Sequence, residues 1–136
     1  MSFQRLWALI VGWALTALGI VGVLVGATLP LLVLTPVVST LYIVTGLVAL
    51  FFAYYRHALH VRTFDRVIGF VFVALAIAGF SAAGAAAGTI LGVLPVVLGI
   101  NVLNLAIGVI SLIAGYALPP TEEELREAER ERKRAA

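Results

Sequence analysis

Cysteine is absent from this chain, which excludes disulfides, thiolate-held metals and cysteine nucleophiles and leaves the redox compartment unread. Charge is scarce and confined to three places: Arg5, the segment from Arg56 to Arg66, and the segment from Glu122 to Arg134. Not one charged residue lies in Leu6 to Tyr55 or in Val67 to Thr121. A membrane enzyme, proton relay or ion pump places an ionisable group at depth, and these two apolar stretches contain none. Phosphate-binding glycine loops, nucleophile elbows and paired carboxylates within the membrane are also missing. His57 and His60, three residues apart, lack the further ligands a metal site needs, and Asp65 alone does not complete the set. Neither catalysis, nor a cofactor, nor a metal is expected.

What the chain has instead is apolar bulk. Of its 136 residues 62% are hydrophobic and 12% charged, too apolar a balance for a soluble surface. Each uncharged stretch is about 50 residues long, room for two membrane crossings of about 20 residues and a short turn. The expectation is an all-α polytopic membrane protein with a transmembrane domain over 1–118, its helices at about 6–27, 37–55, 67–88 and 100–118. A charged tail, helical or frayed, follows over 119–136. The first apolar run, about 22 residues, is longer than the apolar region of a cleavable signal peptide and reads as a retained helix.

The helices carry stripes of small and amide side chains. Asn101, Asn104, Gly108, Ser111 and Gly115 recur at spacings of 3, 4, 3 and 4 and so share one narrow face of a helix. Ser39, Tyr42, Gly46, Ala49 and Ala53 stand 62 residues earlier, and Leu41, Gly46, Leu50 and Tyr54 match Leu103, Gly108, Leu112 and Tyr116 in type. Helix 1 has Gly12, Leu15, Gly19, Gly22 and Gly26 at the same alternation. The shift of 62 carries these to Ala74, Ile77, Ser81, Gly84 and Gly88. The pattern reads as a duplicated two-helix unit, over about 6–55 and 68–117, with both halves oriented alike. An average spacing of 3.5 predicts a left-handed bundle with crossings near +20°. Lipid tails are as apolar as leucine, so small-residue contact and inter-helix hydrogen bonds must associate the helices. The seam residues are therefore expected to face inward, and Asn104 to find Tyr42 or a loop carbonyl.

Charge sets the expected orientation. The basic segment with Arg56, Arg62 and Arg66 follows an aromatic belt of Phe51, Phe52, Tyr54 and Tyr55, and the connections at the opposite end are uncharged. By the positive-inside bias this segment and both termini are cytoplasmic, with the three arginines expected to contact anionic head groups. A sequence pI near 9.4 arises from arginine beside the membrane rather than from a nucleic-acid surface. In the tail, Thr121 followed three residues later by Glu124 is a helix start. Glu122 with Arg126 and Glu129 with Lys133 are favourably ordered i,i+4 pairs, and a solvated, frayed helix is expected, with a docking segment for a partner as the alternative.

Two helical pairs, each ending in a helix of the type Asn-x-x-His-Leu-x-x-Gly-x-x-x-Leu, resemble an uncharacterised bacterial four-helix membrane family, the domain of unknown function numbered forty-three eighty-three. The segment Asn101-Val102-Leu103-Asn104-Leu105-Ala106-Ile107-Gly108 carries the resemblance, which extends over about Leu6 to Tyr116. The chain departs from it where the family has histidine, at Asn104 and, in the first half, at Tyr42. The resemblance implies the four-helix fold and brings no established activity.

The functional expectation is a non-catalytic multi-pass protein of the bacterial cytoplasmic membrane, an accessory, scaffold or assembly subunit whose partners are lipids and another membrane protein or itself, with no nucleic acid. The alternative is a small oligomeric carrier or channel for a small solute or lipid, which strongly polar residues along a seam would favour.

Overall fold

The computed structural model describes residues 2–25, 28–29, 32–55, 58–84, 89–90, 94–95 and 98–136. Within them the chain forms α1 (Phe3–Val25), α2 (Pro36–Tyr55), α3 (Ala58–Gly84), α4 (Leu98–Leu112) and α5 (Glu122–Ala135). A single π-helical turn, Ile113–Ala117, extends α4. Four helical stretches are long and apolar enough to cross a membrane: Phe3–Val25, Pro36–Tyr55, His60–Ser81 and Leu98–Ala117. The protein is an all-α, multi-pass integral membrane protein.

The starts of α2 and α5 have local causes. Thr35 caps α2 through its hydroxyl, which accepts from the Val38 amide at 3.3 Å, and Pro36 takes the first helical position, where its missing N–H costs nothing. Thr121 caps α5 in a complete capping box with Glu124, as the tail sequence predicts. Between α1 and α2, Thr28–Leu29 pairs antiparallel with Leu32–Val33. Between α3 and α4, Thr89–Ile90 pairs likewise with Leu94–Pro95. Backbone near lipid has no water to satisfy it, and such pairing supplies part of what the uncharged connections need.

The helices pack as two antiparallel hairpins, α1 with α2 and α3 with α4, and glycine decides where each closes. A Cβ added at Gly46 would stand 2.7 Å from the Gly12 carbonyl oxygen, and one at Gly12 would stand 2.7 Å from Leu50. In the second hairpin a Cβ at Gly108 would stand 2.7 Å from the Val73 amide nitrogen and 3.0 Å from the Gly69 carbonyl oxygen, while one at Gly69 would stand 2.7 Å from the Leu112 side chain. Only glycine permits backbones this close. Between the hairpins, Val11, Leu15, Leu34, Val38, Tyr42, Phe72, Ile100 and Ile107 form one buried apolar cluster. Large apolar side chains such as Trp13, Leu24, Phe70 and Leu98 point outward, as lipid contact requires.

Helix α3 departs from expectation in two ways. It begins at Ala58 rather than near Val67, so Arg62, Asp65 and Arg66 lie on its first turns and not in a linker. Its buried face runs through Val61, Phe64, Asp65, Gly69, Phe72, Ala76 and Gly79, whereas Ala74, Ile77 and Ser81 are exposed. The reason is the length of the connections. Contacts of α1 recur in α3 at a shift of 57, Gly12 to Gly69, while those of α2 recur in α4 at 62, Gly46 to Gly108. Of the five residues by which 62 exceeds 57, two lengthen the far end of α3 and three lengthen the connection to α4, so a uniform shift turns the inward stripe of α3 to the outside. Of the other seam positions, Gly12, Gly19, Gly22, Ser39, Tyr42, Gly46, Ala49, Ala53, Asn101, Asn104, Gly108, Ser111 and Gly115 are all buried. Gly84 closes α3, and Gly26, Gly88, Arg56 and His57 lie outside the described residues.

Gly108→Val forces side-chain carbon onto the backbone of α3 and is expected to lower stability in detergent by about 1–3 kcal/mol. Ala74→Val, on the exposed face, is expected to leave the thermal midpoint unchanged. Parallel melts of the two variants check this.

Candidate functional site

Polar side chains run along the bundle interior from one end to the other. At mid-bundle the Tyr42 hydroxyl donates to Asn104 Oδ1 at 3.0 Å, joining α2 to α4, and both residues are buried. The Tyr42 ring stacks on Phe72, centroids 6.4 Å apart at 21°. Two turns along α4 from Asn104, Ser111 accepts from Trp7 Nε1 at 2.8 Å, which joins α4 to α1. Tyr42 and Trp7 thus close the interior with aromatic bulk while satisfying their own polar atoms. Toward the other end, Ser39 lies over Gly22 and Asn101 over Gly79, each side chain occupying the notch a glycine leaves. The Ser39 and Thr16 hydroxyls are buried with no hydrogen-bond partner.

The opposite end of the interior carries charge. Arg5 Nε donates to the Ala53 carbonyl at 2.6 Å, and Arg66 Nε donates to the Gly115 carbonyl at 2.7 Å. The second acceptor lies within the π-helical turn, whose widened winding leaves carbonyls to be satisfied from outside the helix. The Arg66 guanidinium also sits 4.5 Å from the centroid of the Tyr116 ring, a cation–π contact.

Arg62 holds the tail. Its Nε donates to Glu124 Oε1 at 2.8 Å and its Nη2 to Oε2 at 3.1 Å, a bidentate pair. The Leu118 and Pro119 carbonyls accept from Nη1 and Nη2 at 2.9 and 3.2 Å. Only 11% of the Arg62 side chain and 2% of that of Glu124 is exposed. Burial by itself raises the Glu124 pKa, but the hydrogen bonds and charge of Arg62, together with the Thr121 amide and hydroxyl, outweigh it and hold the carboxyl below its ordinary value. The tail is thus helical, as the capping signal indicates, yet docked at its first turn. The Glu122–Arg126 and Glu129–Lys133 pairs are present at 3.6 and 2.8 Å on its solvated surface.

Asp65 reverses one expectation. It lies within the spanning stretch His60–Ser81, is 1% exposed, and its Oδ2 has no hydrogen-bond partner. Gln4 Nε2 on α1 is buried and unpartnered in the same way. An ionisable group therefore does lie on a seam, concealed in the sequence because Arg56 to Arg66 reads as a solvated linker when α3 is started at Val67. A signal was available: Val61, Asp65, Gly69, Phe72, Ala76 and Gly79 recur at 4, 4, 3, 4 and 3, the period of the other seams. Arg5, Trp7, Gly69 and Gly79 were likewise no part of the expected seam. His60 is exposed, and among the described residues no three His, Asp or Glu side chains cluster to hold a metal.

Asn104→Leu is expected to destabilise the protein by about 0.6–2 kcal/mol through loss of the bond to Tyr42. Tyr42→Phe is expected to be less costly in the Asn104→Leu background than alone, and a double-mutant cycle in detergent measures the coupling. The depressed Glu124 pKa makes tail docking fully present above the ordinary glutamate pKa and lost as pH falls through the lower, docked value. Spin labels on α5 and on the exposed face of α3 should therefore separate on acidification, and Glu124→Gln should abolish that pH dependence. No family model, no curated protein and no solved structure matches the chain.

Proposed function

We propose that this protein is a non-catalytic accessory, scaffold or assembly subunit of a bacterial cytoplasmic membrane complex. The observation that carries the reading is the closed interior: the Tyr42–Asn104 and Trp7–Ser111 bonds and the Tyr42–Phe72 stack cross the bundle where a solute path would run. What remains for interaction is the outside, where all four spanning helices present large apolar side chains. Their contacts are lipid and another membrane protein, or a second copy. The positive-inside bias of Arg56, Arg62 and Arg66 supports placing both termini and the docked tail on the cytoplasmic side. The matched contacts of the two hairpins, Gly12 with Gly46 and Gly69 with Gly108, support a duplicated two-helix unit. The resemblance to the domain of unknown function numbered forty-three eighty-three belongs to this reading on the strength of Asn101, Leu105, Gly108 and Leu112.

A second reading, a small oligomeric carrier or channel for a small solute or lipid, is favoured by Asp65, a buried carboxyl with an unpartnered oxygen on a seam. Intramembrane ionisable residues are costly and mark transport paths. Two measurements separate the readings. Mild-detergent purification followed by mass spectrometry is expected to recover a stoichiometric membrane-protein partner, and proteoliposomes of the isolated protein to pass neither protons nor small ions. Flux that Asp65→Asn abolishes would overturn the subunit reading.

A further inference from the structure

We propose that Arg5 and Arg66 form two seats for the phosphate of anionic phospholipid head groups, one on each hairpin at the same end of the bundle. In each hairpin the arginine of the first helix gives its Nε to a carbonyl of the second: Arg5 to Ala53 at 2.6 Å and Arg66 to Gly115 at 2.7 Å. Ala53 lies two residues before the end of α2, and Gly115 two residues before the end of the π-helical turn that closes α4. Ala53 and Gly115 are matching positions of α2 and α4 under the shift of 62, so the two guanidinium groups bond to equivalent carbonyls of the two hairpins. The bond through Nε fixes each group and leaves its two Nη amino groups without an acceptor among the described residues. Two adjacent N–H donors on a pinned, planar cation are the geometry that takes a phosphate in bidentate fashion.

Arg62 makes the contrast. Glu124 neutralises it, and the Leu118 and Pro119 carbonyls take further donors, so it presents no seat although it lies one turn from Arg66. The surroundings of Arg5 and Arg66 fit a lipid rather than a free anion. Phe3 and Leu6 beside Arg5, and Val67 and Phe70 beside Arg66, are each 45–58% exposed and offer apolar surface for acyl chains. Tyr54, Tyr55 and Tyr116 are exposed at this end, and aromatic rings of this kind mark head-group depth.

The test uses the full chain purified in a neutral detergent, with phosphatidylglycerol, phosphatidylcholine or inorganic phosphate added. Phosphatidylglycerol is expected to raise the melting temperature above that in phosphatidylcholine, and native mass spectrometry to retain two such lipids per chain. Arg5→Gln and Arg66→Gln should each retain one and lose about half of the difference between the two lipids, and the double variant should lose both. Reading the difference between lipids removes the cost of the lost Nε bond, which is common to both. Arg126→Gln, on the solvated tail, should change neither measurement. Should a glutamine variant fail to fold, Arg5→Lys and Arg66→Lys keep the charge without the fork and should weaken the preference for phosphatidylglycerol about threefold. Wild-type lipid counts in the variants overturn the proposal, and an equal rise with inorganic phosphate overturns its assignment to lipid.

Discussion

In a lipid medium, burying leucine between helices gains little over leaving it against acyl chains, so association depends on how closely backbones approach and on which polar groups meet. The contacts of Gly12 with Gly46 and of Gly69 with Gly108 are where this constraint is met. Each brings two helices near enough for dispersion contact along their length, and each sets the rotation of its pair. Once rotation is set, the apolar cluster and the polar side chains between the hairpins have no further choice of face.

The hairpins are then joined by side-chain bridges that cross the interior. Tyr42 to Asn104 links α2 with α4, and Trp7 to Ser111 links α1 with α4. A tyrosine or tryptophan in an apolar interior needs a partner for its polar atom, and the amide and hydroxyl of α4 provide it. At one end the same requirement is met by arginines: Arg5 and Arg66 satisfy carbonyls near helix ends, and Arg62 anchors α5 through Glu124. Gln4, Thr16, Ser39 and Asp65 stand apart from this pattern, each with one buried polar atom unmatched.

Much of this is legible in the sequence because the membrane narrows the choices. Two uncharged stretches of about 50 residues leave room for little but two spans each, and the start of α2 and the cap at Thr121 follow from residue chemistry. The stripe from Asn101 to Gly115 also reads directly, since a 3 and 4 alternation of small and amide residues has one inward face. Asn104 meeting Tyr42 follows from two polar groups at equal depth in apolar surroundings. By contrast, the charges of Arg62, Asp65 and Arg66 conceal the continuation of α3 back to Ala58 and make a buried carboxyl look like part of a solvated linker.

The sequence by itself determined that the chain crosses a membrane four times, where the aromatic and basic belts fall, and which stripe of α1, α2 and α4 is small. Local periodicity and solvent transfer settle those features without reference to any partner. Only the tertiary structure decided the inward face of α3, the docking of α5 and the burial of Asp65. Each depends on the rotation and register of one helix against another. Connection length and the opposed glycines set these, and a repeat read at a uniform shift of 62 misses the shift of 57 that relates α1 to α3.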